Sequence, residues 1–170
     1  MKRLSALARI GQPAAPVALE PVDVGMLMRE CLETFVHRAA ERKLMIEDGT
    51  DGSPLIGTAD HALLRIIFNN LFDNAVAYSK PDGRIRIDGK REGDEIVIRV
   101  ANPALDFPED PERLFEPLFR HELSRHDAGS HLGIGLTLSR EAAHSMGGDL
   151  RVDRTGEDLV FILVFPAAKR

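Results

Sequence analysis

The strongest candidates for chemistry in this chain are two carboxamides within an apolar stretch. The stretch LLRIIFNNLFDNAVAYS, residues 63–79, is apolar enough for a buried helix, yet its middle carries Asn69, Asn70, Asp73 and Asn74. Asn70 and Asn74 are four residues apart, so a helix would place both on one face. A buried amide without a hydrogen-bond partner costs about 1–3 kcal/mol. These side chains therefore need partners, either in the protein or in a ligand.

Two interpretations of the amide pair remain open from the residues alone. In the first, the amides cap or brace a neighbouring loop. In the second, a carboxamide oxygen ligates Mg²⁺, a metal that prefers hard oxygen ligands, few protein groups and the phosphates of a substrate. The second interpretation predicts a pocket for a nucleotide above this face, which Ile66 and Tyr78 extend in either direction.

A second candidate site lies downstream, in the stretch GSHLGIGLTLSR. Gly129, Gly133 and Gly135 stand just before or inside the start of a predicted helix. Glycine lets a backbone approach a phosphate closely, and a helix N-terminus offers free N–H groups and a favourable dipole. Many helices begin after a glycine, so this signal is weak alone. Together with an amide-bearing helix in the same layer, it favours a phosphate site.

The elements that must position these residues predict an α+β fold. Hydrophobic periodicity and turn signals give the order α-β-α-β-β-loop-α-β-β, with Asp60 as a helix cap. Helices are predicted over 24–42, 61–79 and 133–148, and strands over 44–48, 84–89, 95–101, 149–153 and 159–166. Several antiparallel strands with helices on one face make a two-layer α/β sandwich with a mostly antiparallel, mixed sheet.

Composition limits the class of protein. A length of 170 residues favours one folded domain, predicted over 23–170, after an N-terminal helix remnant and Pro- and Ala-rich linker over 1–22. The net charge of −5 argues against a nucleic-acid-binding module. The single Cys31 excludes a disulfide framework and fits a reducing cytoplasm. No apolar stretch approaches the ~18–20 residues that span a bilayer, so no membrane contact is expected.

Three motifs in this order and spacing resemble those of sensor histidine kinases. NLFDNAVAYS resembles the family's N box, LFEPLFR at 114–120 its F box, and GIGLTLSREAAHSMGGDL its second glycine box with the following helix and strand. The agreement extends from about Pro21 to Pro166. The resemblance implies the family's catalytic ATP-binding domain, which has the Bergerat (GHKL) fold of gyrase-type ATPases and Hsp90-like chaperones, an α/β sandwich.

The resemblance also implies a role for each matching residue. Asn74 matches the amide that binds Mg²⁺, and Asn70 matches the polar residue one turn earlier, near the phosphates of ATP. Arg120 matches the basic residue that closes the F box, and with Asn70 it is the expected catalytic group. Residues 119–132 match the lid over the nucleotide. The other expected nucleotide-binding residues are Tyr78, Asn102, Gly133, Gly135 and Leu136.

The first glycine box departs from the family pattern D-x-G-x-G, whose Asp accepts a hydrogen bond from the adenine amino group. The ungapped match is ANPAL, which puts Ala101 in place of the Asp and Pro103 and Leu105 in place of the glycines. Ala77 and His131 also replace family residues. Losing one buried hydrogen bond to a ligand costs roughly 1–3 kcal/mol, or about ten- to a hundredfold in affinity. The sequence therefore predicts weakened or absent ATP binding.

The function that the resemblance implies is phosphoryl transfer from Mg-ATP to a histidine on a separate dimerisation domain of the same or a partner kinase. A response regulator is the further partner, and the expected location is the cytoplasm, with the chain as part of a larger membrane-anchored receptor. His121-Glu122 mimics the start of an acceptor sequence but lacks its sequel. The alternative function is a pseudokinase-like docking or regulatory module without ATP. A stand-alone serine kinase of the anti-sigma type shares the fold, but the F box argues against it.

Overall fold

The structure is a computed structural model that describes residues 16–50, 52–105, 107–117, 119 and 134–169. This part of the chain forms two layers, in which helices pack against one face of a five-stranded sheet and enclose the hydrophobic core. A smaller, two-stranded sheet lies beside them. The predicted α+β sandwich is confirmed.

The described residues form four α-helices and one short 3₁₀ helix. The α-helices are α1 (Val24–Glu33), α2 (Val36–Glu41), α3 (His61–Tyr78) and α4 (Gly135–Ser145), and the 3₁₀ helix covers Pro111–Phe115. The predicted cap of α3 is confirmed, because the Asp60 carboxylate accepts hydrogen bonds from the N–H groups of Ala62 at 2.9 Å and Leu63 at 3.1 Å. None of these helices is both long and apolar enough to cross a membrane.

The strands of the described residues form two sheets. They are β1 (Glu20–Asp23), β2 (Met45–Asp48), β3 (Ile56–Ala59), β4 (Arg84–Glu92), β5 (Glu95–Pro103), β6 (Asp149–Thr155) and β7 (Asp158–Pro166). The large sheet has the order β2-β4-β5-β7-β6, in which β2 runs parallel to β4 and every other neighbouring pair is antiparallel. The predicted mixed, mostly antiparallel sheet is therefore confirmed.

The region predicted as one helix over 24–42 is two helices in the structure. The hydroxyl of Thr34 donates a hydrogen bond of 2.7 Å to the carbonyl of Cys31. The backbone N–H of Thr34 is also directed to the carbonyls of Cys31 and Leu32. A threonine side chain that bonds to the preceding turn competes with regular helical hydrogen bonding. The apolar spacing continued through this position and gave no sign of the break.

The last residues of the predicted linker, together with Asp23, form a strand. This strand, β1, pairs antiparallel with β3, with Glu20 opposite Ala59 and Asp23 opposite Ile56. Neither strand was predicted, because each has four residues and their pairing joins segments that are far apart in sequence. The N–H of Ala18 donates a hydrogen bond of 2.9 Å to Asp60, so the chain entering β1 is also held by the start of α3.

Candidate functional site

The helix that carries the amide pair is fixed to the core by its apolar faces and is capped at both ends. Its buried apolar side chains are those of Leu64, Ile67, Phe68, Leu71, Phe72, Ala75 and Val76. Asp60 caps its first turn. At the other end, the guanidinium of Arg42 donates hydrogen bonds to the carbonyls of Val76, Ala77 and Ser79, the last at 2.8 Å. A cation at a helix C-terminus also complements the helix dipole.

The one acidic side chain of α3 has a structural partner. Asp73 is buried, and its Oδ1 lies 2.7 Å from Nη1 of Arg38 on α2. The guanidinium of Arg38 also lies over the ring of Phe35, 5.7 Å from the ring centroid. Asp73 therefore joins α3 to α2.

Asn70 connects α3 to the start of α4, as the bracing interpretation predicts. Its Nδ2 donates hydrogen bonds to the carbonyl of Gly135 at 3.0 Å and to Oγ of Ser139 at 2.9 Å. A carbonyl can only accept, so the atom facing Gly135 has to be the nitrogen, and the oxygen Oδ1 is the end left for a ligand. The structure thus brings two sequence-predicted site residues, Asn70 and Gly135, into direct contact.

The glycine at position 135 is required by this close approach. A Cβ atom there would lie 3.2 Å from Oδ1 and 3.3 Å from Cγ of Asn70, closer than ordinary van der Waals contact. An alanine at this position would therefore push the Asn70 amide away or displace the start of α4. This contact between Asn70 of α3 and Gly135 at the start of α4 is called the joint between the two helices.

Asn74 lies one turn beyond Asn70 on the same face of α3 and is half-buried. Within the ranges that the structure describes, its side-chain amide makes no hydrogen bond. These ranges also contain no group of three His, Cys, Asp or Glu side chains that could hold a metal ion. A half-buried carboxamide with an uncommitted oxygen fits a Mg²⁺ ligand that shares the metal with substrate phosphates.

The strand β5 places Asn102, rather than Ala101, toward the helices. Its register pairs Val100 with the core residue Phe161 and Asn102 with the core residue Leu159. Ala101 lies between them and faces the opposite side of the sheet, opposite Arg86. Asn102, and not Ala101, therefore lies on the face of β5 that is directed to the helices, because side chains along a strand alternate between its two faces.

Asn102, one of the expected nucleotide-binding residues, offers a buried hydrogen-bond acceptor on the inner face of the sheet. It is only 2% exposed, and its side-chain amide makes no hydrogen bond to any described residue. The chain after it returns to the end of α3, where the N–H of Leu105 donates a hydrogen bond of 2.9 Å to the carbonyl of Tyr78. Asn102 thus stands beside the same end of α3 as Asn74 and Tyr78.

Pro103 and Leu105, which stand in place of the family's glycines in the ungapped match, are not buried. Pro103 shares the outer face of the sheet with Ala101, and its Cγ would be 2.8 Å from a Cβ at Gly83. The side chain of Leu105 is 48% exposed. Neither of these two side chains is therefore packed into the core beside Asn102.

The remaining predicted site residues are divided between the described and the undescribed parts of the chain. Tyr78 is half-buried at the last residue of α3, and Leu136 packs against the core from α4. Arg120 and Gly133 lie outside the described residues, as does almost all of the predicted lid over 119–132.

Two residues that hold α4 in place, Ser139 and Arg140, were not predicted from the sequence. Ser139 is fully buried and bonds to both Asn70 and Gly135; its position four residues after Gly135 was the available signal. Arg140 binds the 3₁₀ helix of the F-box segment, since its Nη2 lies 2.7 Å from Glu112 Oε2 and its guanidinium lies over the ring of Phe115. These contacts fix α4 relative to both α3 and the F-box segment.

Comparisons with known proteins agree with this geometry. The family described as histidine kinase-, DNA gyrase B-, and HSP90-like ATPase matches residues 59–169. SenX3, a sensor-like histidine kinase of Mycobacterium tuberculosis, is 34% identical over 149 residues, which are 86% of this chain and 36% of SenX3. The sensor protein VanSC of Enterococcus gallinarum is 30% identical over 148 residues, 86% of this chain and 40% of VanSC. The chain thus spans about two fifths or less of these relatives.

Solved structures show the same fold. The nucleotide-free catalytic domain of the histidine kinase ThkA aligns with a TM-score of 0.77 at 22% identity, covering 88% of this chain and 96% of that domain. Full-length ShkA in complex with AMPPNP aligns with a TM-score of 0.81 at 26% identity, covering 98% of this chain and 35% of ShkA. The chain belongs to the histidine kinase-, DNA gyrase B-, and HSP90-like ATPase family, and within it to the catalytic ATP-binding domains of sensor histidine kinases.

Proposed function

We propose that this chain binds Mg-ATP and supports phosphoryl transfer to a histidine on a separate dimerisation domain, in the cytoplasm and as part of a larger sensor kinase. The observation that carries the proposal is the joint between α3 and α4. There, Asn70 contacts Gly135, and Asn74 follows on the same face with an amide that makes no hydrogen bond to a described residue. These groups combine an oxygen ligand for a metal with a helix N-terminus for phosphates.

Each residue of the joint has a distinct task in this proposal. The oxygen of Asn74 would ligate the metal, and the oxygen of Asn70 would face the same metal beside the phosphates while its nitrogen stays bonded to Gly135. Backbone N–H groups at the start of α4 meet the phosphate oxygens. Mg²⁺, when bound, neutralises charge that develops on the transferred phosphoryl group. Arg120 and Gly133 keep their expected places beside the phosphates, and Tyr78 packs on the nucleotide.

Asn102 takes the adenine-facing role in this proposal. Its carboxamide oxygen can accept a hydrogen bond from the adenine amino group, as the family's Asp does. A hydrogen bond to a neutral acceptor is about half as strong as one to a carboxylate, a difference on the order of 1 kcal/mol. We therefore propose weakened rather than absent ATP binding, with a dissociation constant up to about tenfold above that of an otherwise equal site with Asp.

The partners are proposed from the relatives. ThkA has been solved in complex with the response regulator protein TrrA, and that kinase aligns with this chain at a TM-score of 0.78 and 20% identity. A response regulator, together with the dimerisation domain that carries the acceptor histidine, is the partner class that this comparison supports.

Calorimetric titration with ADP and ATP, with and without Mg²⁺, tests the proposal. We expect binding in the unmodified chain, loss of at least tenfold in affinity for Asn74→Ala and Asn102→Ala, and tighter binding for Asn102→Asp. Asn69→Ala is the matched control, because Asn69 is also a half-buried amide of α3 but lies on another face. No binding by the unmodified chain would overturn the proposal in favour of the docking module. An equal loss for Asn69→Ala would overturn the assignment of the site.

A further inference from the structure

We propose that Ser139 is a positioning residue that holds the Asn70 carboxamide with its oxygen toward the metal–phosphate group of the nucleotide. The inference rests on the proposed function and adds to it a residue that does not itself touch the ligand. Ser139 lies in the middle of α4 and is fully buried, with 0% of its surface exposed. A buried hydroxyl in an α-helix needs partners, and the two that it has lie at the site.

The hydrogen bonds of Ser139 form a closed set with Asn70 and Gly135. The Ser139 hydroxyl donates to the carbonyl of Gly135 at 2.8 Å and accepts from Nδ2 of Asn70 at 2.9 Å. Nδ2 also donates to the carbonyl of Gly135 at 3.0 Å. A carboxamide nitrogen has two N–H groups, so both are used by these two acceptors. The polar atom of Asn70 that remains for a ligand is the oxygen.

This arrangement limits the rotation of the amide. The terminal torsion of an asparagine side chain has a broad energy minimum, so hydrogen bonds rather than rotamer preference must set its angle. Turning the amide by half a turn would place its oxygen against the carbonyl of Gly135, where two acceptors repel each other. The Gly135 carbonyl therefore selects which end points inward, and the Ser139 hydroxyl fixes the angle. Removing the hydroxyl leaves one N–H of Asn70 without that acceptor.

A purely structural role for Ser139 predicts a different outcome from a positioning role. A packing defect in α4 would weaken nucleotide binding by the same factor with and without metal. A misdirected Asn70 oxygen would instead affect the metal-dependent part of binding, because a carboxamide oxygen attracts Mg²⁺ but not the phosphate oxygens, which are acceptors like itself. The ratio of the dissociation constants for ADP without and with Mg²⁺ separates the two cases.

The experiment measures that ratio by calorimetric titration of the full chain. We expect Ser139→Ala to lower the Mg²⁺ enhancement of ADP affinity by about three- to tenfold, the effect of one lost hydrogen bond. Ser139→Cys, which has nearly the same volume but a weaker hydrogen-bonding group, should give an intermediate value. Ser145→Ala is the control, because its hydroxyl also donates to its own helix, to the Ala142 carbonyl at 2.8 Å, but contacts no site residue.

A double variant completes the test. If Ser139 acts through Asn70, Ser139→Ala should lower the enhancement little further once Asn70→Ala is present. Independent, additive losses would overturn the inference, as would an unchanged enhancement in Ser139→Ala or in Ser139→Cys if the alanine variant does not fold. In both cases the unmodified chain still binds nucleotide and the proposed function stands. Absence of nucleotide binding by the unmodified chain would overturn both proposals together.

Discussion

The two polar sides of α3 differ in how their side chains are satisfied. On the side toward α2, the carboxylate of Asp73 meets the guanidinium of Arg38, and Arg42 binds the last carbonyls of the helix. On the side toward α4, the nitrogen of the Asn70 amide donates two hydrogen bonds, and its oxygen remains for a ligand. The Asn74 amide has no hydrogen bond within the described residues. The comparison separates a side whose polar groups are paired within the fold from a side on which acceptors remain for a ligand.

The chemistry of the two sides explains the difference. Removing a charge from water is costly, so a buried carboxylate is stable in a fold only with a cation or donors in place. A neutral amide at a half-buried position costs far less when it is partly satisfied. An amide with a free acceptor can therefore be kept for a ligand without a large loss in the free energy of unfolding. If the charged side is structural and separate from nucleotide binding, substitutions there should lower the stability of the fold and leave the affinity for nucleotide unchanged.

The largest loss of stability is expected on the charged side, from Arg38→Met. Asp73 would then keep its buried position without the guanidinium, since its side chain is 10% exposed while that of Arg38 is 45% exposed. Breaking a fully buried pair costs several kcal/mol, but the exposure of Arg38 lowers our expectation to about 2 kcal/mol in the free energy of unfolding. Urea denaturation measures the loss, and the affinity for Mg-ADP should stay within about twofold of the unmodified chain.

Arg65→Met is the matched control for Arg38→Met. Arg65 pairs with Glu30 at 2.9 Å, but both side chains are well exposed, at 42% and 48%. Such a pair contributes less than about 1 kcal/mol. If the two arginine variants lost equal stability, the burial of Asp73 would not matter and the comparison between the two sides of α3 would fail.

A smaller loss is expected from Arg42→Met. The variant removes the donors to the carbonyls of Val76, Ala77 and Ser79, and with them the cation at the C-terminus of α3. We expect a loss of about 1–2 kcal/mol and a fraying last turn. Hydrogen exchange should therefore be faster at the amide of Ser79, which is bonded to the Ala75 carbonyl. Arg29→Met, which removes a 3.3 Å hydrogen bond to Thr50 and none to α3 among the described residues, should leave that exchange unchanged. Equal exchange in both variants would contradict the capping role.

Much of the site could be predicted from the sequence because its signals are local. The spacing of Asn70 and Asn74, the glycines before α4 and the cap at Asp60 all depend on residues within one or two turns. The orientation of Asn102 was also predictable: Ile96, Ile98, Val100 and Asn102 alternate along β5, and that period of two indicates an inward Asn102.

The contacts that could not be predicted join segments far apart in the chain. Arg42 reaches carbonyls 34 to 37 residues away, and Asn70 meets Ser139 at a separation of 69 residues. No periodicity relates such positions, because their meeting depends on how the helices pack on the sheet. The pairing of β1 with β3 was not predictable for the same reason. In addition, each of these strands has too few residues to show a clear alternation of apolar and polar side chains.

The smallest of the expected effects belongs to Asp60, at the start of α3, and it depends on pH. Burial raises the pKa of this carboxyl, but the backbone N–H groups of Ala18, Leu63 and Ala62 outweigh it and hold the pKa below its usual range. A lowered pKa in the folded state means that the carboxylate stabilises the fold above the unfolded pKa, and that this contribution is lost as the pH falls below about 4.

Asp60→Ala should therefore lose about 1 kcal/mol of unfolding free energy at pH 7, and the difference from the unmodified chain should narrow as the pH falls below about 4. Urea denaturation over a series of pH values measures it. Asp60→Asn is the control, because an amide still caps the helix but does not titrate, so its advantage over alanine should stay constant with pH. A difference between Asp60 and alanine that is equally constant would show that the charge does not contribute. The Asp60 side chain would then act only as a hydrogen-bond acceptor, as a neutral amide such as that of Asn70 or Asn74 could.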